Sequence, residues 1–207
     1  MPEKIYKAST GVEEFYYAVL AEDGSQSIIK EDEEISAIKF LQNIEIEMPQ
    51  EMVRAFGDNK TAELGVSNGN TTITSGFHTL PIEDRIVLFG AEKSEDGLAA
   101  YGSDDHPPFV ACVFAKTHEG GDKEWVGLTK GKFMRSNISG QTKEESTEFS
   151  QSEMTGEFME REVQGYEKEK TCVFGWDKKG ETAKRDALFQ KVFGKAYPGA
   201  PVVPEGA

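Results

Sequence analysis

The stretch Val12–Leu20 constrains the fold most strongly, because it is apolar on both of its sides. Its odd-numbered positions from Phe15 onward and its even-numbered positions from Tyr16 onward are all apolar or aromatic. Successive side chains of a β-strand point to opposite faces, so an antiparallel strand of this kind needs a cover on each face. The stretch therefore predicts a strand in a layered structure, and a neighbouring subunit can supply one of the two covers.

The rest of the sequence is typical of a mainly β protein. The 207 residues include 13 Phe, 6 Tyr and 21 Gly, and aromatic residues favour strands whereas glycine favours turns. In Ile44–Met48 the apolar residues alternate with Glu45 and Glu47, which predicts a strand with one apolar and one acidic face. Further strands are predicted at Ile35–Leu41, Thr71–Thr74, Phe109–Lys116, Trp125–Phe133, Phe149–Phe158 and Thr171–Trp176.

Two short helices complete the predicted elements. The first begins at Pro81, with Thr79 as a candidate cap, and ends at Gly90. The second, Glu181–Phe193, carries a wide apolar stripe and ends at Gly194. We interpret the stripe as a candidate subunit interface made by Leu188, Phe189, Val192 and Phe193.

No internal repeat and no Ser/Gly linker divides the sequence. We therefore predict a single β domain over residues 1–195, followed by an extended tail over residues 196–207 that is rich in proline and glycine. The predicted fold class is mainly β with one or two short α-helices, arranged as an antiparallel β-sandwich or barrel with a flanking helix.

The charge and the cysteine count restrict the partners and the compartment. A net charge of −14 disfavours direct binding to phosphate backbones and anionic membranes, although nucleic acid can still pass an acidic wall without sticking to it. Two cysteines in apolar surroundings indicate a reducing compartment. No apolar run approaches the roughly 20 residues that span a bilayer. We expect a protein made and folded in a cytoplasm, without membrane attachment.

The sequence offers no catalytic constellation that we would defend. The three histidines lie in or beside turns, and no His-Glu-x-x-His run, phosphate-binding loop, nucleophile elbow or Cys-x-x-Cys pair is present. Asp104, Asp105 and His106 resemble a metal-ligand set, but adjacent residues in a proline-containing loop seldom converge on one ion. We expect a protein that is not an enzyme and that uses no cofactor or metal.

Several motifs, taken in order, resemble the major tail proteins of long, non-contractile-tailed bacteriophages. They are the opening strand Gly11–Leu20, the turn Ala55–Asn59, the helix from Leu80 to Gly90, and the two strands Pro107–Phe114 and Trp125–Phe133. The last of these ends in Lys-Gly-Lys-Phe, a feature associated with the family. The chain departs from the family at Gly57, which interrupts the turn before its polar pair, and it shows no immunoglobulin-like C-terminal domain.

The resemblance implies a subunit of a hollow tail tube. Six subunits would form a ring, stacked rings would form the tube, and genomic DNA would pass through it without specific binding. The implied partners are other copies of the chain, the tape measure protein, the tail terminator and distal tail or baseplate proteins, and the implied location is the virion.

Two sets of residues are candidates for roles in such a tube. Glu45 and Glu47 are candidates for an acidic lumen wall that repels DNA, although they can equally face bulk solvent. The turn of Gly57, Asp58, Asn59 and Lys60 is the candidate ring-stacking loop, within a longer segment, about Gln50 to Asn70, that we expect to contact the next ring together with the two termini.

Two other function classes remain open at this point. A ring or tube protein of a secretion apparatus would share the fold, and only genomic context would separate the two. A β-sandwich module that binds carbohydrate or a cell surface would need a groove lined by exposed aromatic residues, for which Tyr16, Tyr17, Trp125 and Trp176 are available, although core burial explains them more simply.

Overall fold

The computed structural model describes residues 6–21, 29, 34–57, 60–137 and 151–199. The strands in these ranges are β1 (Ser9–Val19), β2 (Ser36–Ile38), β3 (Leu41–Glu47), β4 (Gln50–Gly57), β5 (Lys60–Asn68), β6 (Thr71–Phe77), β7 (Glu92–Lys93), β8 (Ala99–Ala100), β9 (Val110–His118), β10 (Lys123–Phe133), β11 (Ser152–Met159) and β12 (Cys172–Asp177). The α-helices are α1 (Ile82–Phe89) and α2 (Ala183–Phe193). The prediction of a mainly β fold with two short helices is confirmed.

One large antiparallel sheet forms the body of the molecule. Its strand order is β2-β1-β9-β10-β11-β6-β3, and β12 also pairs with β10. The long strand β10 pairs with β12 along Lys123–Leu128 and with β11 along Lys130–Phe133. The hairpin β4–β5 and the short pair β7–β8 form separate two-stranded sheets. This arrangement is consistent with a β-sandwich.

The two faces of strand β1 enter two different hydrophobic clusters. Phe15, Tyr17 and Val19 lie in the inner cluster, with residues of β6, β9, β10, β11 and α1. Ala18 and Leu20 lie in the outer cluster, with α2. The double burial that the sequence predicts is confirmed. Both covers, however, come from the same chain, so the strand requires no neighbouring subunit to bury its second face.

The apolar stripe of α2 packs against the subunit's own sheet. Leu188, Phe189, Val192 and Phe193 are 3%, 0%, 0% and 1% exposed, and they share a cluster with Trp125. The expectation that these four side chains form a subunit interface is therefore wrong for this conformation. The stripe meets β9, β10 and β12 because burying it there removes apolar surface from water within one chain.

Both helices end as the sequence predicts. Gly90 and Gly194 adopt the left-handed conformation, at φ 65° and 69°, and their N–H groups bond to the carbonyls of Ile86 and Gln190. The start of α1 differs slightly from the prediction, since Pro81 precedes the first helical residue and no side chain caps the helix. Thr79 is therefore not a cap.

The folded domain extends beyond the predicted boundary at residue 195. The hydroxyl of Tyr197 lies 3.0 Å from the Tyr16 hydroxyl and 3.2 Å from a Glu14 carboxylate oxygen. Its ring packs edge-on against Phe189, at 5.1 Å between centroids, and the Arg185 guanidinium stacks on it at 3.7 Å. The predicted tail over 196–207 is thus wrong at its start, because the partly buried Tyr197 packs against the outer cluster. Residues 200–207 lie outside the described residues.

In the described ranges, neither α1 nor α2 is long and apolar enough to cross a bilayer.

Candidate assembly surfaces

The hairpin β4–β5 is exposed at every residue whose side chain the structure describes. Its strands pair with each other in a register that places Met52 opposite Val66 and Arg54 opposite Leu64. Directly opposed residues of an antiparallel pair share a face, and alternate residues point to opposite faces. These four side chains therefore lie on one face, which we call the apolar hairpin face. Val53 lies on the other.

The apolar hairpin face is unburied in the subunit. Met52, Leu64 and Val66 are 75%, 61% and 63% exposed, and they belong to neither of the two hydrophobic clusters. Single exposed apolar residues are ordinary, whereas adjacent ones on one face are typical of an interaction surface. The sequence predicts the turn of this hairpin, and the two-residue alternation of its strands is a signal from which the apolar hairpin face could also have been predicted.

The two arms of the hairpin are joined at its base. The N–H of Gly69 donates to the carbonyl of Pro49 at 2.8 Å. A Cβ at position 69 would lie 2.8 Å from Cγ of Pro49, so only glycine fits without a shift. These contacts hold the arms together at the point where the chain enters β4 and leaves β5.

The predicted ring-stacking loop is the turn of this hairpin. Gly57 ends β4, Lys60 begins β5, and the two residues pair with each other. Asp58 and Asn59 lie outside the described residues. The contact of this loop with another ring stays a prediction.

Strand β3 has the two-faced character that its sequence predicts. Ile44 and Ile46 are partly buried and pack against the inner cluster, whereas Glu45 and Glu47 are exposed. The alternation places both carboxylates on one outward face of β3. That this face lines a lumen stays a prediction.

A cleft of about 350 Å³ opens beside β3. It is bounded by side chains of β1, β3, β9, β10 and β12 and by Met48, which follows β3. At this end of the inner cluster Phe174 is 73% exposed and Met48 is 55% exposed. Lys116 and Glu124 line the wall and form an ion pair of 2.9 Å. The strand at Thr171–Trp176 is predicted from the sequence, whereas the cleft beside it is not.

The two cysteines lie on either side of Leu128 in adjacent strands. Leu128 pairs with Cys112 on β9 and with Cys172 on β12. Two strand spacings separate their Cα atoms by roughly 9 to 10 Å, which exceeds the reach of a disulfide. Burial raises the pKa of the Cys172 thiol to about 11 and raises the pKa of Cys112 further. Both are free thiols, and Cys172 lines the cleft.

Asp122 connects three parts of the chain. Its carboxylate accepts a bond from the Lys7 ammonium at 2.6 Å and one from the backbone N–H of Lys179 at 3.2 Å. The hydrogen bond from Lys7 is the main reason why the pKa of Asp122 lies below its usual range. The group holds the residues before β1 against the β9–β10 turn and the segment that leads into α2.

The loop that resembled a metal-ligand set is organised by hydrogen bonds. The Asp105 carboxylate accepts the N–H of Gly102, and Arg135 donates to the carbonyls of both residues, at 2.7 Å and 3.2 Å. No group of three or more side chains suited to hold a metal ion is found in the ranges that the structure describes.

Two of the four aromatic residues considered for a surface-binding groove are buried. Tyr17 and Trp125 are 3% and 2% exposed, and Trp125 packs edge-on against Phe189. Tyr16 and Trp176 are partly buried, Tyr16 against Phe189 and Trp176 against His118. The structure therefore brings no groove together from these four residues.

No family model matches the chain, and no curated protein matches it significantly. The resemblance to phage tail proteins therefore rests on the motifs of the sequence.

Proposed function

We propose that this protein is a structural subunit that assembles into stacked, hexameric rings and forms the tail tube of a long-tailed bacteriophage. The observation that carries the proposal is the apolar hairpin face, on which three large side chains remain exposed. Together with the ordered motifs from Gly11 to Trp176, this face supports self-assembly as the role of the protein.

The physical argument starts from the cost of leaving apolar surface in water. Burying it contributes about 25 cal/mol per Å², so a projecting hairpin with an apolar face is stabilised when a partner covers it. A face that is not complementary to itself makes heterologous contacts, and such contacts generate closed rings or open helical assemblies. A tube of stacked rings uses contacts of this kind within and between its rings.

The acidic character of the chain supports the proposed passage of DNA. The net charge is −14, and Glu45 and Glu47 present an exposed acidic face on β3. We place this face on the lumen, where it would repel the phosphate backbone and keep DNA from binding. A structure of the assembled ring tests the placement, and carboxylates on the outer surface of the tube would refute it.

The remaining parts of the proposal follow from the resemblance alone. The ends of the tube would contact a tape measure protein, a tail terminator and distal tail or baseplate proteins, and the protein would reside in the virion. The proposal that it is not an enzyme and uses no cofactor rests instead on the residues, since the sequence offers no catalytic constellation. A tube protein of a secretion apparatus would have the same geometry, and a capsid or tape-measure gene near the coding sequence would separate the two.

Deletion of Gly57–Lys60 tests the proposed role of the hairpin. We expect the deleted variant to keep the fold, because the hairpin forms its own small sheet, and to lose polymerisation. Negative-stain electron microscopy at high protein concentration measures assembly, and circular dichroism measures the fold. Unchanged tubes from the deleted variant would refute the stacking role of this loop.

A further inference from the structure

We infer that the cleft beside β3 is the docking site for the apolar hairpin face of a second copy of this chain. The inference rests on the proposed function, because it names the surface that receives the hairpin during assembly. It is carried by two exposed apolar surfaces of one subunit, namely the face of Met52, Leu64 and Val66 and the cleft at Met48 and Phe174.

The described part of the hairpin does not fill the cleft of its own subunit. Among the side chains that the structure describes, those lining the cleft include none from β4 or β5, although Pro49 alone separates Met48 from the first residue of β4. The bond from Gly69 to Pro49 joins the two arms of the hairpin, so the hairpin leaves the sheet as one unit. In the docking that we infer, the occupant of the cleft is the hairpin of another molecule.

The cleft suits an apolar occupant that carries one cation. Its apolar lining includes Val12, Ile46 and Phe174. Phe174 is 73% exposed in the isolated subunit. Glu124 is 26% exposed at the side chain, and its Oε2 lies 2.9 Å from Nζ of Lys116 and 3.4 Å from Nε2 of His118. A carboxylate accepts several hydrogen bonds, so it can also receive the guanidinium of Arg54.

The strands that border the cleft leave room for a guest. Within the described ranges β3 pairs only with β6, and β12 pairs only with β10, so each strand has one free edge. A free edge exposes unpaired backbone groups that an added strand can satisfy. An incoming hairpin brings two strands of its own, one of which can lie beside such an edge.

The two surfaces form a heterologous pair. The hairpin of one copy enters the cleft of the next, and the hairpin of that copy remains free to enter a third. Contacts of this type propagate until a ring closes or a tube extends, which is the behaviour that the proposed function requires.

A cysteine on the hairpin tests the contact, because the native Cys172 lines the cleft. We expect Met52→Cys, oxidised at high concentration and about pH 9, to give a covalent dimer; the alkaline pH favours the thiolate that forms the disulfide. The dimer should disappear in Met52→Cys combined with Cys172→Ser. Val53→Cys, on the opposite hairpin face, is the matched control and should give no Cys172-dependent dimer.

Three results would overturn the docking. The first is an equal yield of Cys172-dependent dimer from Met52→Cys and Val53→Cys. The second is a dimer of Met52→Cys that persists without Cys172. The third is a disulfide within one chain, which would show that the hairpin fills its own cleft. Non-reducing electrophoresis, with mass spectrometry of the linked peptides, distinguishes them.

A second variant makes the test independent of thiol reactivity. Phe174→Ser should prevent tube formation, whereas Phe40→Ser should not, although Phe40 is exposed to a similar degree, at 70%. If Phe174→Ser forms tubes and Met52→Cys gives no Cys172-dependent dimer, the docking is refuted and the proposed function stays intact. A Cys172-dependent dimer of Met52→Cys, together with a wild-type protein that never forms rings or tubes, would support the docking and refute the tube.

Discussion

Met52 and Val66 face each other across β4 and β5, and both remain largely in water, at 75% and 63% exposure. The opposite hairpin face carries Val53 paired with Gly65. The hairpin is thus more apolar on one side than on the other although it belongs to neither hydrophobic cluster of the subunit. Because of this asymmetry, we expect the apolar hairpin face to pack against another copy of the chain.

Polar isosteres on the apolar hairpin face should weaken assembly without affecting the fold. We expect Met52→Gln with Val66→Thr to raise the concentration needed for tube formation at least tenfold, because a loss of about 1.4 kcal/mol per contact is a factor of ten. Substitutions at exposed sites usually change stability by less than about 0.5 kcal/mol, so the midpoint of thermal unfolding should stay nearly constant.

The control for these isosteres is Val53→Thr on the opposite face. Its assembly, followed by light scattering against protein concentration, should match the wild type. If Val53→Thr shifted the assembly concentration as much as the double variant does, the contact would not be specific to the apolar hairpin face.

The contact between α2 and β10 depends on the absence of a side chain at Gly127. A Cβ at that position would lie 2.7 Å from Cγ2 of Val192 and 3.1 Å from Cδ2 of Leu188. We expect Gly127→Ala to lower the free energy of unfolding by about 1 to 3 kcal/mol, as overpacking of a core does. Urea unfolding measures the change.

Gly65→Ala is the matched control, since its nearest neighbour would be the carbonyl oxygen of Val53 at 3.9 Å. Its free energy of unfolding should stay close to the wild-type value. Equal stability of Gly127→Ala and the wild type would show that α2 can shift away from the sheet at little cost.

The Asp122 carboxylate should make the stability depend on acid. Its pKa in the folded protein is lowered, first by the hydrogen bond from Lys7, relative to roughly 3.9 in an unfolded chain. The stabilisation is therefore complete above pH ~4 and is lost as the pH falls through the lower pKa of the folded state.

We expect Asp122→Asn to be less stable than the wild type at neutral pH and the difference to shrink below pH ~4, where the wild-type carboxylate also becomes neutral. Thermal unfolding of both proteins across that range measures the difference. A difference that is constant with pH would show that the Lys7 contact does not depend on the charge of Asp122.

Much of the fold can be predicted from the sequence because its signals are local. The apolar residues on both sides of Val12–Leu20 indicate a strand buried on both faces. Gly90 and Gly194 mark helix ends because glycine adopts the left-handed backbone conformation most easily. The acidic face of β3 follows from a period of two in the same way. Each of these features depends only on neighbours along the chain.

The features that the sequence could not predict depend on which surfaces meet. The apolar stripe around Phe189 looks the same in the sequence whether it covers its own sheet or a neighbouring subunit. Its burial in the outer cluster and its close approach to Gly127 show that it covers its own sheet. Tyr197 follows a helix-ending glycine and precedes Pro198, so it looks like the start of a tail, yet its ring packs in the outer cluster. Phe174 lies in a predicted strand and pairs with the buried Val126, yet it is 73% exposed, and no local signal in the sequence indicates that exposure.

Electron microscopy of the purified wild-type protein over a wide range of concentrations tests the central claim most directly. We predict rings of uniform diameter that stack into hollow tubes as the concentration rises, because the apolar hairpin face is then covered by other copies. A protein that keeps its fold and remains monomeric at every concentration would contradict the proposal that it is a tube subunit.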